Sequence, residues 1–379
     1  MKATPDYTSR MYTMSEEIYL DAPDIGDGEK KYLNEALDSG YVSTIGPFVP
    51  EFEGTFAKYL NTERAVSTQS GTAALHMALY ELGIGKGDEV IVPALTFIAT
   101  ANPVRYVGAE PVFVDVDSKT WNIAPDAIEA SITGKTKAII PVHLYGNPCA
   151  MDEIMKLAGK YNLRVVEDAT ESLGATYKGG FSGTFGDFGC FSFNGNKIIT
   201  TGGGGMVVGR DSAKLEHIKF LVNQARDESK GYYHPELGFN YRMTNIEAAL
   251  GLAQMERLQG FLAKKRAFND LYRQELSNIP TLHFQETYEG AEGSWWLTCL
   301  SIGNKADIPA LQRALKERGI QTRRLFMPLT ESPLYRAHKK AALENSYRIY
   351  ESSLCLPGST RNNDDDIFSV CKAIREFVM

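Results

Sequence analysis

From residue 40 to about residue 210 the hydrophobic pattern of this chain switches repeatedly between two periods. Short β-branched runs read as strands: "EVIVPA" (89–94), "EPVFVDV" (110–116), "TKAIIPVHLYG" (136–146), "LRVVEDA" (163–169), "DFGCFSF" (187–193) and "GMVVG" (205–209). Stretches such as "TAALHMALYELG" (72–83) and "DEIMKLAGKYN" (152–162) read as helices between them. Strands alternating with helices predict βαβ units and a mainly parallel sheet. Ahead of them, "EKKYLNEALDSG" (29–40) places Tyr32, Leu33, Ala36 and Leu37 at helical spacing and stops at Gly40.

The pattern changes at "MTNIEAALGLAQMERLQGFLAKKRAFNDLYRQEL" (243–276). Thr244 and Glu247 form a T-x-x-E capping box. Ile246, Ala249, Leu250, Ala253, Leu258 and Leu262 then follow a helical period. Beyond it the chain mixes strand-like "SWWLTCLSI" (294–302) with helical "DIPALQRALKERG" (307–319). The reading is a loose polar tail over 1–16, a large α/β domain over 17–250 and a smaller C-terminal α+β domain over 251–379. No internal repeat and no low-complexity segment interrupts it.

A chain of 379 residues is long enough for two packed units or one large α/β unit with an appendage, and its 43% hydrophobic content is ordinary for a soluble globular protein. Its net charge of −7 lacks the broad basic footprint of a nucleic-acid binder, so no nucleic-acid partner is expected. The five cysteines, Cys149, Cys190, Cys299, Cys355 and Cys371, form no CxxC pair. A disulfide scaffold or a zinc site is therefore not expected, and a reducing compartment fits better. The N-terminal residues lack an apolar core of signal-peptide length, and no apolar run reaches bilayer-spanning length. A soluble, cytoplasmic protein with no membrane partner is the expectation.

Candidate chemistry centres on "FSFNGNKIITTGGGGMVV" (191–208). A P-loop would need Gly directly before Lys197 and Ser or Thr after it; Asn196 and Ile198 stand there instead. Lys197 is either a solvated loop residue or a Schiff-base lysine, whose amine must lose its proton before it attacks a carbonyl. Asp168 ends the run "LRVVED", where α/β enzymes place ligands and where structural caps are also common. With Lys197 it suggests a pyridoxal phosphate site, in which an anion must face the pyridinium nitrogen; Glu171 would lie near the ring's polar edge. Ser70, Gly71 and Thr72 open a helix, either as a phosphate site or as a plain N-cap. Phe97, after a strand, either lies flat on an aromatic cofactor or fills the core. Ser192 alternates away from Phe191 and Phe193 and would point into the same site.

In this order the motifs resemble the fold-type-I pyridoxal-phosphate enzymes of the DegT-type sugar aminotransferase family. The resemblance runs from about Ile18 onward. It rests on "GYVSTIGPFVPEFE" (40–53), "SGTAALHMAL" (70–79), "GDEVIVPALTFIATAN" (87–102), "PVHLYGN" (141–147), "VEDATESLGA" (166–175), the lysine stretch and "GFNYRMTNIEAALGLAQMERL" (238–258). It implies a large mainly parallel αβα domain with a smaller α+β domain, and pyridoxal 5'-phosphate as cofactor. It implies that Lys197 forms the internal aldimine and moves the proton between cofactor and sugar carbon. Asp168 pairs with the pyridinium nitrogen, Phe97 stacks on the ring, and Gly71, Thr72 and Ser192 hold the phosphate. Asn240 reaches that phosphate from the neighbouring subunit, which implies a homodimer with active sites at its interface.

One branch of that family carries histidine at the lysine position and dehydrates sugars; Lys197 implies transamination, with L-glutamate as amino donor. Many relatives have an acidic residue inside the glycine run, whereas Gly202 to Gly205 are unbroken here. "NGNKIITTGGGG", "NQARD" (223–227) and "CLPGST" (355–360) resemble enzymes that aminate C4 of UDP-linked 2-acetamido-4-keto-6-deoxyhexoses, the favoured reading. "GFNYRMTNIEAALGLAQMERL" is equally similar to GDP-perosamine synthases, the alternative. Arg242, Arg323 and Arg324 are candidates for the donor carboxylate, with a surface role equally open for each. A non-catalytic regulatory protein of the same fold would not need the Lys197–Asp168 pair. A nicotinamide-dependent sugar enzyme would need G-x-G-x-x-G after the first strand, and "GTFGDFG" (183–189) has the wrong spacing and place.

Overall fold

The structure, a computed structural model, describes residues 17–303, 307–338 and 341–379; the expected tail over 1–16 lies outside the described residues. Its larger layer is a seven-stranded sheet of β1 (Ala65–Thr68), β2 (Glu89–Pro93), β3 (Glu110–Val114), β4 (Thr136–Ile139), β5 (Arg164–Asp168), β6 (Phe188–Ser192) and β7 (Gly205–Gly209), in the order β1-β7-β6-β5-β4-β2-β3. Strand β7 alone runs antiparallel to its neighbours. The strands are buried on both faces, as a helix-covered parallel sheet requires, and this is why they read as continuous β-branched runs.

Three helices bring the chain to the site. In α1 (Asp27–Asp38), Ala36 is buried. In α2 (Phe48–Leu60), Phe52 and Phe56 pack against Phe191 and Phe193 of the β6 segment, with ring centroids 5.1–5.4 Å apart. Sequence reading leaves α2 out because Pro50 and Gly54 interrupt its pattern. Pro50 stands in the first turn, where its missing N–H costs nothing. Ser70 caps α3 (Gly71–Glu81) by accepting a hydrogen bond from Ala73 N at 3.1 Å.

The long helix α4 (Asn245–Leu276) begins with the expected capping box. Thr244 Oγ1 accepts from Glu247 N at 3.3 Å, and Thr244 N donates to Glu247 Oε2 at 2.7 Å. A Cβ at Gly251 would lie 2.7 Å from Phe52 Cζ, so glycine sets how closely α4 meets α2. The helix runs uninterrupted through residue 250, where the sequence reading places a domain boundary.

The smaller sheet contains β8 (Leu282–Phe284), β9 (Cys299–Ile302), β10 (Arg323–Arg324) and β11 (Ser353–Cys355), in the antiparallel order β8-β9-β11-β10. Phe268 and Tyr272 of α4 join Leu311 and Leu315 of α5 (Ile308–Glu317) and Val370 and Ile374 of α6 (Asp364–Val378) in its core. Ile18, assigned by sequence to the larger unit, packs in this core and bridges to Ile320. Of the strand-like run 294–302, only Cys299–Ile302 is a strand. Trp295 takes a left-handed φ of 50°, which turns the chain before the sheet. No described helix is long and apolar enough to cross a membrane.

Candidate active site

The carboxyl ends of β5 and β6 open on a cavity of about 370 Å³, where a twisted parallel sheet places its ligands. Ser70, Gly71, Thr72 and Phe97 line it from one side, and Asp168, Glu171, Ser192 and Lys197 from the sheet side. Residues spread over more than a hundred positions of sequence thus converge. Asn240 does not line this cavity; it is exposed and bridges to Asn223.

Lys197 stands in the loop that joins β6 to β7. The loop is anchored on both sides of the lysine. Lys197 N donates to Asn194 O at 2.9 Å, Ile198 and Ile199 are buried, and Thr200 N donates to Gln254 Oε1 of α4 at 3.2 Å. Only 14% of the lysine side chain is exposed, so it is not a solvated loop residue. Its Nζ lies 3.6 Å from Glu171 Oε1. Burial draws the amine below its usual lysine value, against the opposing pull of Glu171 and Asp168. Burial also raises the Glu171 carboxyl above its ordinary value, although Lys197 and the Tyr145 N–H, which donates to Glu171 Oε2 at 2.8 Å, pull it down.

The pleat of β5 separates two adjacent acids. Glu167 is fully buried and accepts from Gly183 N, Phe185 N and Gly186 N at 2.7–2.8 Å, with His143 Nε2 at 2.9 Å. Asp168 turns to the cavity. Thr100 Oγ1 donates to its Oδ2 at 2.7 Å and Thr170 Oγ1 to its Oδ1 at 2.6 Å. These two hydroxyls fix the carboxylate, which is only 3% exposed.

At the start of α3, Gly71 and Thr72 stand in the first turn, whose N–H groups have no helical partner. Gly205 allows this turn to approach the sheet: a Cβ there would lie 2.5 Å from Ser70 C and 2.6 Å from Ser70 O. Ser192 faces the turn because Phe191 and Phe193, at 1% and 0% exposure, take the other side of β6. Phe97 is 54% exposed and tilted against Phe326, ring centroids 5.5 Å apart, so it is not a core residue.

Trp296, Arg323 and Phe326 also line the cavity. Of the three arginine candidates, Arg323 alone reaches it. Its Nε and Nη2 are buried without a hydrogen-bond partner. Arg324 instead donates to Tyr350 O at 2.9 Å. Thr100, Thr170 and Trp296 lie in the quoted stretches but are not singled out there as site residues; "DAT" (168–170) and the doublet in "SWWL" are the available signals, and the latter reads equally as a buried strand.

A carboxylate at the floor, unpaired helix N–H groups at one end, an exposed aromatic face and an amine with a lowered pKa suit a phosphorylated pyridine aldehyde. No described group of His, Cys, Asp or Glu is arranged to hold a metal ion. Residues 23–375 match the DegT/DnrJ/EryC1/StrS aminotransferase family. The chain is 39% identical over 355 residues to GDP-perosamine synthase of Escherichia coli O157:H7, covering 94% of this chain and 97% of that protein. It is 40% identical over 366 residues to GDP-perosamine synthase of Caulobacter vibrioides, covering 96% and 98%. The fold superimposes on Spr1654 from Streptococcus pneumoniae in its PLP-form with a TM-score of 0.89 at 28% identity, over 96% of this chain and 100% of that one. With nearly the whole length matched and a lysine–aspartate pocket at the strand ends, the chain belongs to the DegT/DnrJ/EryC1/StrS aminotransferase family and is a pyridoxal-phosphate-dependent enzyme.

Proposed function

We propose that this aminotransferase moves the amino group of L-glutamate to C4 of a GDP-linked 4-keto-6-deoxyhexose, GDP-4-keto-6-deoxymannose. Glutamate leaves as 2-oxoglutarate and the keto sugar leaves as the 4-amino sugar, so one amino group and two electrons pass between them. The motif resemblances alone favour a UDP-linked acetamido sugar. The near-full-length relatives named GDP-perosamine synthase move the reading to the GDP-linked substrate.

The observation that carries the chemistry is Lys197, largely buried and 3.6 Å from Glu171, in the cavity it shares with Asp168. When bound, the cofactor supplies an aldehyde that accepts the amino group and a ring that draws electrons from the carbon losing its proton. In this reading Lys197 is the attachment point and, once free and neutral, carries the proton to and from the reacting carbon. Asp168, held in place by Thr100 and Thr170, would face the ring nitrogen. Gly71, Thr72 and Ser192 would hold the phosphate, and Phe97 would cover the ring. Arg323 offers its unpaired N–H groups to the carboxylate of glutamate.

Asn240 belongs, in this reading, to the active site of a second subunit. The exposed place of Asn240, outside the cavity of its own chain, supports a homodimer.

The test is amino-sugar formation from L-glutamate with the GDP- and UDP-linked keto sugars in parallel. The expected result is a kcat/KM at least about tenfold higher for the GDP-linked sugar. A preference for the UDP-linked sugar overturns the substrate, and no turnover with either overturns the sugar class.

A further inference from the structure

The Lys197 ammonium sits over an indole face. Its Nζ is 3.9 Å from the ring centroid of Trp296, within cation–π range. That ring is held from several directions. Trp296 Nε1 donates to Asn196 O, next to Lys197 in the chain, at 2.5 Å. The carbonyl of Trp296 accepts from Lys265 Nζ at 3.1 Å, and the same buried amine donates to Gly358 O at 2.7 Å. Tyr145 stacks on the indole with centroids 6.2 Å apart and planes 21° apart. The backbone leading to it is strained. Trp295 and Tyr145 take left-handed φ of 50° and 57°, and a Cβ on Gly146 would lie 2.7 Å from the nitrogens of both tryptophans. Strain of this kind persists where surrounding contacts over-determine a position that function needs.

We propose that the Trp296 ring face is the resting place of the free Lys197 ammonium, holding it above Glu171 whenever the lysine is not covalently engaged. The proposal rests on the reading that Lys197 alternates between bound and free states, because the glutamate half-reaction would release it and the sugar half-reaction would take it up again. A released amine in so buried a place must stay charged enough not to stray and yet lose its proton readily. Four charged groups face it. Glu171 and Asp168 favour the ammonium, Arg323 opposes it, and Asp21, hydrogen-bonded to Asn196, favours it weakly. Arg323 shares the indole, its guanidinium carbon 5.1 Å from the centroid. An anion drawn to Arg323 would therefore act on the same ring that carries the lysine. Trp296 is a positioning residue in this scheme, and Lys265 and Asn196 fix its orientation.

The test uses the full-length protein freed of cofactor by L-glutamate and dialysis. Cyanate carbamoylates a neutral amine and not its ammonium, so labelling of Lys197 across a pH series, read by peptide mass spectrometry, gives its titration midpoint. Trp296→Leu is expected to lower that midpoint by about one pH unit, a tenfold rise in labelling below it. Trp296→Phe, with a weaker ring face in the same space, should shift it less in the same direction, and it decides the matter if Trp296→Leu does not fold. A midpoint that stays in place or rises overturns the proposal. Capture of added pyridoxal phosphate, followed by its visible band, should share the wild-type midpoint. If labelling responds to Trp296 while capture does not depend on Lys197, the attachment role fails and the resting place stands.

Discussion

The Cβ that Gly71 lacks would fall 2.9 Å from the Cβ of Ser192 and 2.9 Å from Cγ2 of Thr170. Helix start and strand end therefore meet with no space for a methyl group. Gly71→Ala forces one of them to move, at a cost of about 1–3 kcal/mol. It should also open the phosphate cradle. The expected outcome is a lower melting temperature together with at least about tenfold faster loss of pyridoxal phosphate on dialysis. Undiminished retention would remove Gly71 and Ser192 from the phosphate site.

Lys197→Ala should fold normally, since the loop's anchors lie at Asn194, Ile199 and Thr200. It should bind pyridoxal phosphate without the covalent bond, and kcat should fall by roughly 10³-fold or more. Borohydride reduction followed by mass spectrometry checks the attachment: a labelled lysine elsewhere in the variant would contradict it.

Asp168→Asn keeps the size of the side chain but removes the charge that Thr100 and Thr170 stabilise. Two charge-assisted hydrogen bonds weaken, for about 1–2 kcal/mol of stability. The larger effect should be kinetic, a fall in kcat on the order of 10²-fold with KM for glutamate little changed. Steady-state kinetics at saturating cofactor test this; wild-type kcat would rule out a role at the ring nitrogen.

Lys265 is 5% exposed, and burial draws its amine down to about 8. Between that value and the ordinary lysine value of about 10.4, the unfolded chain holds a proton that the folded chain does not. Stability from this residue therefore rises with pH across the window, by up to about 3 kcal/mol, and is lost as pH falls through 8. Urea denaturation of the wild type and Lys265→Met at a series of alkaline pH values isolates it. The difference between them should tilt toward the wild type as pH rises, and a flat difference refutes the assignment.

The glycine run is unequal along its length. Gly202 and Gly204 have φ of +85° and +116°, while Gly203 does not require a left-handed conformation, and a Cβ there would meet only Glu247 Oε1 at 3.5 Å and Gln69 O at 3.9 Å. Gly203→Ala should change stability by no more than about 0.5 kcal/mol. Gly204→Ala, whose Cβ would also press on Met243 Cε at 2.7 Å, should cost about 1–3 kcal/mol. Thermal melts distinguish the two. Gly203 is the position in this run that combines room for a side chain with a φ outside the left-handed region.

Several elements were legible because local chemistry and global packing agree. The capping box at Thr244 and the β-branched runs of β2, β3 and β5 are cases where the residues choose the same backbone that the fold needs. The run 136–146 was not legible as a whole. Strand β4 stops at Ile139, ahead of Pro141, which has no N–H for a ladder, and Tyr145 turns left-handed beyond it. Burial of Tyr145, Trp296 and Phe326 against one another decides that bend. In α4, Ile246 and Leu250 keep the helical period but remain half-exposed, because the stripe facing α2 is made by Ala248, Gly251 and Leu252.

By itself the sequence determined which groups this protein can use: one lysine in a glycine-rich turn, an acid ending a strand, a helix opening on Ser-Gly-Thr, and periodicities that make an α/β sheet. Those are properties of neighbouring residues, set by propensity and spacing. Only the tertiary structure decided that Trp296 lies under Lys197, that Arg323 rather than Arg324 reaches the cavity, and that Thr100 and Thr170 grip Asp168. Apart from the local Thr170–Asp168 pair, such contacts join residues tens to more than a hundred positions apart. They are chosen by how two sheets and a long helix pack, a choice that local sequence does not carry.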